Sequence, residues 1–335
     1  MGRCSIYGLK QTNLLGYDLV GVIDNIKNNS GEITLTNFDL NKNSELLIRV
    51  ELVNSLPNPS GLHLYYEDVY SDSSYCAQLI QSESSKIVAF RYQKPVICSI
   101  SSQKKNIIDI IIKITNSGEV VAICETVRDC GDVIRGVEKY YITSTFKLSK
   151  LNKVVLRSTL SNIGNGSNIR IYKRMSPTVA EVIVEKDASK VIIDNLSINN
   201  LSDYVLISDW KYNGTDSNAQ LFMYINDNYI NSKYFSQRYY AENRNVQSLR
   251  YNFPLISVCD KSKSTFSYCT LNLMNNGLLN YYSKSIRNYG NQDMYLYNMY
   301  GHSIFSTNEI TKLTISSSRE NGIKAGSRFQ LIKLK

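Results

Sequence analysis

"AFRYQKPVIC", residues 89–98, returns 159 residues later as "SLRYNFPLIS", residues 248–257. The recurring positions are Arg91/Arg250, Tyr92/Tyr251, Pro95/Pro254 and Ile97/Ile256. Because proline has no backbone N–H, it is confined within sheets to strand starts, edges and bulges. Each segment therefore predicts a strand that ends after Arg-Tyr, a break at the proline, and the start of the next strand.

The arginines of the two segments are interpreted as structural residues. We expect Arg91 and Arg250 either to pair with a repeated carboxylate or to lie against the neighbouring tyrosine ring, as guanidinium groups often do. Either contact would help to hold the strand passage in each copy.

The match extends far beyond these two segments. A shift of 159 aligns residues 62–158 with 221–317 without a gap and gives 22 identities in 97 positions. Small changes of shift extend it to "ITLTNFDLN" (33–41) with "VIIDNLSIN" (191–199), and to "GSNIRIYK" (166–173) with "GSRFQLIK" (326–333). A repeat of this length indicates a duplicated domain rather than a solenoid unit. We predict an N-terminal arm over 1–16, a first repeat over 17–174, a linker or first strand over 175–188, and a second repeat over 189–335.

Each copy is rich in short β-branched and aromatic runs that are separated by Asn, Ser and Gly clusters. Examples are "EITLTNFDL" (32–40), "ELLIRVELV" (45–53) and "EVVAICETV" (119–127). About ten such strands per copy predict an all-β protein of two tandem antiparallel β-sandwiches, jelly-roll-like and related by internal duplication. The apolar run at 107–112 predicts burial on both faces of its strand.

Four matched glycines indicate where each copy turns. Gly118 and Gly277 lie in "NSGE" and "NNGL", where a tight hairpin requires a positive φ angle. Gly166 and Gly326 each precede a serine and predict the turn into the last strand of each copy.

Composition limits the classes of partner. The net charge is +9, but Lys and Arg are scattered among acidic and amide residues, which favours a solvated basic surface over a nucleic-acid site. A polyanion-binding face remains the alternative. No apolar stretch is long enough to span a membrane as a helix. The seven cysteines form no C-x-x-C pair, so we expect neither zinc nor a disulfide framework, no cofactor, and folding in a reducing compartment.

Catalytic patterns are weak. The two histidines are not matched between the copies, because His63 aligns with Phe222 and His302 with Thr143. We therefore predict that the protein is not an enzyme. Repeated carboxylates leave a remote alternative, a polysaccharide hydrolase, although residues at turns are commonly just solvated. These carboxylates are Asp68 with Glu83 and Asp227 with Glu242.

Tyrosines distinguish the second copy. Tyr239, Tyr240, Tyr281 and Tyr282 align with Ile80, Gln81, Ala122 and Ile123 of the first copy. Exposed tyrosines suit sugar faces or partner proteins because a large flat ring carries a polar tip. We name these four as candidate ligand- or partner-binding residues; the alternative is that they simply cover a sheet. Trp210 is expected in the core.

The C-terminal segment "ITKLTISSSRENGIKAGSRFQLIKLK" resembles a signature of bacteriophage virion proteins. Its residues are Ile310, Leu313, Ile315, Ile323, Gly326, Ser327, Phe329 and Leu331, with a weaker version in the first copy at Leu151, Val154, Leu156, Gly166, Ser167, Ile169 and Ile171. The closing Tyr-Gly of that family is replaced by Ile332-Lys333. The Asn, Ile, Lys and Tyr bias is similar to that of crAss-like phages.

This resemblance implies a β-sandwich component of a phage head, tail or fibre that is assembled in the host cytoplasm. Our leading hypothesis is a non-enzymatic virion structural protein that docks to neighbouring virion subunits, as an oligomer within the particle. The alternative is an attachment module in which the second-copy tyrosines bind a host surface glycan.

Overall fold

The computed structural model describes residues 17–83, 86–101, 104–128, 136–160, 163–174, 178–242, 245–291 and 294–334. The predicted arm over 1–16 lies outside these ranges. The chain divides into two compact units whose boundary falls between residues 174 and 178. Each unit contains nearly all of one copy of the repeat.

Twelve strands are assigned within the described residues of the first copy. They are β1 (Asp18–Ile23), β2 (Glu32–Leu40), β3 (Glu45–Val53), β4 (Ser60–Tyr66), β5 (Tyr75–Glu83), β6 (Lys86–Tyr92), β7 (Val96–Ile100), β8 (Lys105–Ile114), β9 (Glu119–Arg128), β10 (Gly136–Lys147), β11 (Leu151–Ser158) and β12 (Asn168–Arg174). A three-residue 3-10 turn, Asp72–Ser74, precedes β5.

The second copy repeats this series. Its strands are β13 (Thr178–Ile183), β14 (Lys190–Ile193), β15 (Tyr204–Lys211), β16 (Asn218–Ile225), β17 (Tyr234–Glu242), β18 (Asn245–Tyr251), β19 (Leu255–Asp260), β20 (Ser264–Leu273), β21 (Leu279–Arg287), β22 (Tyr295–Ser303), β23 (Leu313–Ser317) and β24 (Arg328–Lys333). The matching 3-10 turn is Asn231–Lys233. Of the two alternatives for 175–188, a strand describes residues 178–183, because β13 pairs with β24 of the same copy.

Both copies have the same topology. In the first, an eight-stranded sheet has the order β1-β12-β3-β8-β9-β10-β5-β6 and a four-stranded sheet the order β2-β11-β4-β7. The second copy has the same orders with every strand number raised by twelve, and the assigned strand pairs are antiparallel. The prediction of two tandem β-sandwiches related by duplication is confirmed. The expected ten strands per copy were too few.

Strand positions agree with the sequence patterns, with one correction. The predicted strands at 32–40 and 45–53 coincide with β2 and β3. The apolar run at 107–112, expected to be buried on both faces, instead alternates at its start. Ile108 and Ile110 are buried, whereas Ile107 is exposed, because β8 belongs to an antiparallel sheet whose two faces have different environments.

The repeated prolines mark a passage between sheets. β6 ends at Tyr92 in the eight-stranded sheet, and β7 begins at Val96 in the four-stranded sheet. The carbonyl of Pro95 accepts a hydrogen bond of 2.9 Å from the backbone N–H of Leu64, and Pro254 does the same for Met223. Proline therefore ends one strand, while its carbonyl anchors the start of the next. The predicted break is confirmed in both copies.

The repeated arginines, in contrast, do not have equivalent surroundings. Arg91 is partly buried, whereas Arg250 is exposed to solvent near the end of β18. Since β18 is the last strand of its sheet, its side chains have a neighbouring strand on one side only. The guanidinium that lies against the ring of Tyr251 belongs to Arg238 instead. The exposure of the two arginines therefore differs between the copies, and the structural role of Arg250 stays a prediction.

The hairpin glycines behave as expected. Gly118 and Gly277 have φ angles of 98° and 78°, which only glycine adopts without steric cost. They join β8 to β9 and β20 to β21. Gly166 and Gly326, with φ of 89° and 82°, lie just before β12 and β24.

Each core contains a buried tyrosine whose hydroxyl makes the same two hydrogen bonds to the backbone. The hydroxyl of Tyr75 donates to the carbonyl of Val69 and accepts from the backbone N–H of Tyr66. In the second copy Tyr234 binds the carbonyl of Asn228 and the N–H of Ile225 in the same way. Burial raises the pKa of Tyr234 to about 12. A buried phenol needs such partners, so these repeated tyrosines stabilise the fold.

Trp210 lies in the second core, as expected. Its side chain is fully buried, and its indole N–H donates to the Ser257 hydroxyl over 2.9 Å.

Candidate functional site

The four candidate tyrosines do not form one surface. Successive residues of a strand point to opposite faces of a sheet. Tyr239 and Tyr282 therefore lie on the outer face of the eight-stranded sheet, whereas Tyr240 and Tyr281 lie on the inner face. Tyr240 stacks on the buried Tyr297 at a centroid distance of 5.5 Å, and Tyr281 is only 4% exposed. The prediction that Tyr281 belongs to an exposed binding cluster is wrong, because its ring fills the core.

Arg238 packs against aromatic rings on the inner face of the eight-stranded sheet. Its guanidinium carbon lies 4.5 Å from the ring centre of Tyr240 and 5.5 Å from that of Tyr251. The ring of Tyr251 therefore packs with Arg238 as well as with Phe253, whose ring centre is 4.8 Å away. Tyr240 and Tyr251 thus pack against the strand passage at Pro254.

The cross-strand partner of Tyr281 explains how a ring of this size fits into the core. It pairs with Gly301, where an added Cβ would come within 2.1 Å of the Tyr281 ring. The equivalent pair in the first copy is Ala122 opposite Ile142. In the second copy, β21 supplies the large residue of the pair and β22 the small one. In the first copy, β9 supplies the small residue and β10 the larger one.

A groove opens on the outer face of β20, β21, β22 and β17. We call it the tyrosine groove and define it by two rows of side chains that cross these strands: Thr270, Tyr282, Tyr300 and Gln237 in one, and Asn272, Asn280, His302 and Phe235 in the other. Its volume is about 620 Å³. Of the four predicted tyrosines, Tyr282 belongs to these rows, the buried Tyr281 also borders the groove, and Tyr239 contacts it through Tyr300.

Ring stacking organises the groove. The rings of Tyr282 and Tyr300 are stacked, with centroids 4.3 Å apart and planes at 14°. Tyr239 meets Tyr300 edge-on at 6.0 Å, and Phe235 stacks on the His302 ring at 5.8 Å. Tyr300 is 45% exposed. The groove therefore presents a fixed aromatic ridge to solvent, and the key tyrosine of this ridge, Tyr300, was not among the predicted residues.

Hydrogen bonds fix several of these polar side chains. The Tyr282 hydroxyl donates to Asn298 Oδ1 over 2.9 Å. The amide NH₂ of Gln237 donates to Ser248 Oγ over 2.9 Å, and that of Asn272 to Asp203 Oδ1 over 2.8 Å. Both amides thus use their donor group within the protein.

The proton of His302 can be assigned from its partner. His302 Nδ1 lies 3.0 Å from the carbonyl oxygen of Ser303. Because a carbonyl can only accept, the neutral ring carries its proton on Nδ1 and leaves Nε2 as an acceptor.

The groove is specific to the second copy. At the equivalent positions only Gln78 and Tyr141 keep the residue type. The first copy has Ile123 in place of Tyr282 and Val121 in place of Asn280. Aliphatic side chains thus occupy the positions where the second copy presents an aromatic ring and an amide.

The first copy has a different polar cleft that the sequence patterns did not reveal. On the outer face of its four-stranded sheet, Tyr65 donates to Asp72 Oδ1 over 2.7 Å, and His63 Nδ1 lies 3.2 Å from the Tyr65 hydroxyl. Burial lowers the pKa of His63; nearby Lys94 and Arg157 act in the same direction and Asp72 opposes them. The second copy keeps the tyrosine bond, because the Tyr224 hydroxyl donates to Asn231 Oδ1 over 2.6 Å. It lacks the histidine, which Phe222 replaces.

The repeated aspartates form surface ion pairs. Asp68 binds Lys153, and Asp227 binds Lys312 over 2.8 Å. The Lys312 ammonium, together with a hydrogen bond from Tyr229, holds the pKa of Asp227 below its ordinary value. The side chains of Glu83 and Glu242 lie outside the part of the chain that the structure describes. Of the four carboxylates of the hydrolase alternative, the structure therefore locates only Asp68 and Asp227.

The described ranges contain neither a candidate metal cluster nor a candidate membrane-spanning helix. Within them no three His, Cys, Asp or Glu side chains are grouped as a metal ion would require. In the same ranges no helix has the length and apolarity needed to cross a bilayer. The five cysteines that the structure describes are buried free thiols.

Comparisons with known proteins give no family. No protein-family model matches the chain, and no curated protein matches it. Among solved structures, domains LG4-5 of the mouse laminin α1 chain align over 97% of this chain and 92% of that one, with 10% identity and a TM-score of 0.21.

Two further structures are less similar. A fructofuranosidase from Schwanniomyces occidentalis complexed with fructosylnystose covers 76% of this chain and 68% of that one at 9% identity and a TM-score of 0.12. The β domain of the Bordetella autotransporter BrkA covers 78% and 99%, also at 9% identity, with a TM-score of 0.13. At these scores the likenesses support no inference about ligands or partners.

Proposed function

We propose that this chain is a non-enzymatic structural protein of a bacteriophage particle, part of a capsid decoration, tail or fibre, and that it docks to neighbouring virion subunits. The observation that carries the proposal is the use of the duplicated polar residues. Tyr75 and Tyr234 tie down equivalent turns, and Asp68 and Asp227 bind equivalent lysines. These polar residues, kept in both copies, act as scaffold, as expected for a protein selected for shape.

The signature residues of the C-terminal segment have structural positions that agree with this proposal. Leu313 and Ile315 lie in β23, and Phe329 and Leu331 in β24, all with buried side chains. The Gly326-Ser327 turn connects them, and Ser327 Oγ accepts a hydrogen bond from the backbone N–H of Lys211. The signature is thus a core element of the second sandwich.

Docking would use sheet edges. β6 and β18 are the last strands of the two eight-stranded sheets. In β18 residues 247–250 are exposed, and an edge strand has unpaired backbone groups to which another chain can add a strand. Such contacts between neighbouring copies would build an oligomer in the particle.

Mass spectrometry of gradient-purified phage particles tests this proposal. We expect peptides of the chain in intact particles at several copies per particle. Detection only in the soluble fraction of infected cells, with none in purified particles, would contradict it.

A second candidate function is attachment to a host surface glycan through the second copy. The specific observation that favours it is the exposed ridge formed by Tyr239, Tyr282 and Tyr300. The full-length chain is expected to bind host cells, and the Tyr282→Ala variant to bind them less. Equal binding of both proteins, or no binding at all, would contradict an attachment role.

A further inference from the structure

We propose that the tyrosine groove binds uncharged oligosaccharides, with the apolar face of a sugar ring against Tyr300. This inference rests on the second candidate function and names its ligand class. The volume of about 620 Å³ lies within the range of roughly 300–1,000 Å³ that is usual for small-molecule sites.

The aromatic ridge supplies the apolar half of such a site. Tyr300 is held on one face by Tyr282 at 4.3 Å and on an edge by Tyr239 at 6.0 Å. A ring that is already fixed loses little conformational entropy when a ligand binds. A flat, rigid and partly exposed ring is therefore a suitable surface for the C–H groups of a pyranose.

Polar side chains of both rows supply hydrogen bonds of both kinds. In the neutral ring His302 Nε2 is an acceptor, because Nδ1–H donates to the Ser303 carbonyl. Gln237 and Asn272, which line the groove, each use one amide N–H on Ser248 and Asp203, and an amide side chain also carries a second N–H donor and an acceptor oxygen. The exposed Asn280 amide adds donors. Sugar hydroxyl groups donate and accept, so they match this mixture better than an apolar ligand does.

The charge of the groove favours an uncharged ligand. Its two rows contain no Asp, Glu, Lys or Arg. The nearest cation in the β21 sequence is Lys284, whose ammonium lies 5.4 Å from the ring centre of Tyr282. An anionic sugar bound in the groove would lose hydration without a dedicated counter-charge, which is costly. The general basic surface would bind anionic glycans differently, by a contact that salt weakens.

A glycan array of microbial and animal oligosaccharides, probed with the intact chain, provides the first test. Hits are then measured by calorimetry at 50 and 500 mM NaCl. We expect neutral glycans among the hits, with a Kd that changes little with salt. The Tyr300→Ala variant should weaken their binding by at least about tenfold, which corresponds to about 1.4 kcal/mol.

Two variants serve as controls. Tyr300→Phe keeps the ring and should retain affinity within a few-fold. Tyr229→Ala removes a tyrosine that is 47% exposed but lies outside the groove, and it should bind like the parent protein. Loss of binding in Tyr229→Ala would overturn the assignment to the groove.

The remaining outcomes separate this inference from the function on which it rests. Binding of anionic glycans alone, lost in Tyr300→Ala, would overturn the uncharged class and leave glycan attachment intact. Absence of any glycan binding would overturn both. Binding of a proline-rich peptide in the groove, with no glycan, would also overturn both.

Discussion

The cross-strand pair Ala122/Ile142 of the first copy and its counterpart Tyr281/Gly301 of the second occupy the same register, yet their sizes are reversed. Both pairs point into the sandwich core, where interiors are close-packed and volume must be conserved. On the opposite face of the same strands, the buried Ile123 of the first copy aligns with Tyr282, which lines the tyrosine groove of the second. The comparison shows that the inner face of the duplicated sheet keeps a large residue opposite a small one in both copies, whereas the outer face differs in residue type and in exposure.

The largest loss of stability is expected from a variant that places a residue of the first-copy pair opposite a residue of the second-copy pair. Gly301→Ile introduces the first-copy residue opposite Tyr281, where even a Cβ would overlap the ring. We expect a loss of about 3 kcal/mol or more in the free energy of unfolding, at the upper end for overpacked cores. Urea unfolding of the full-length chain measures it.

The matched control restores the pairing of the first copy. Tyr281→Ala combined with Gly301→Ile should recover most of the lost stability, because the two residues share one volume. If the double variant is as unstable as the sum of the single variants, the two pairs are not alternative solutions to the same packing problem.

A smaller, symmetric effect is expected from the duplicated tyrosines. Tyr75→Phe and Tyr234→Phe each leave a buried backbone N–H and carbonyl without the hydroxyl partner. Each variant should lose about 1–3 kcal/mol. If only one of the two variants loses stability in unfolding measurements, the tyrosine hydroxyl stabilises the fold in that copy alone.

The smallest effect concerns pH and the first copy. The pKa of His63 is lowered in the folded protein, so the unfolded chain binds more protons as the pH falls below about 6.5. The stability that depends on neutral His63 is thus present above the unfolded-state pKa and is lost toward the lower folded-state pKa. His63→Phe, which introduces the second-copy residue, should reduce the drop in Tm between pH 7.5 and pH 5. An unchanged drop would mean that His63 titrates alike in both states.

Much of the fold followed from sequence pattern. The bounds of β2 and β3, the break at Pro95 and the hairpin at Gly118 were all predictable, because alternation, proline and glycine act locally. The strand count was underestimated because β1 and β13, at the outer edges of their sheets, have weak patterns, "DLVGVI" and "TVAEVI".

Identity between the copies was a weaker guide than local geometry. Arg250 repeats Arg91, yet its side chain is exposed on an edge strand, and Arg238 occupies the place against Tyr251. A repeated residue type therefore does not by itself identify a repeated environment, because exposure depends on which strands lie beside the residue.

The site was predictable only in part. The two-residue period alone separates Tyr239 from Tyr240 once a strand is assigned, and this signal was present in the sequence. The stacking of Tyr300 on Tyr282 depends on the register of β21 and β22, which no local pattern fixes. The approach of Asp72 to Tyr65 likewise depends on the turn that precedes β5.

The central claim is that binding resides where the copies differ. Calorimetric titration of a neutral array hit into a variant that carries the first-copy residues, Tyr282→Ile with Asn280→Val, tests it most directly. The account predicts that binding falls below detection while the Tm stays within a few degrees of the parent protein. Unchanged affinity in a stably folded variant would contradict it.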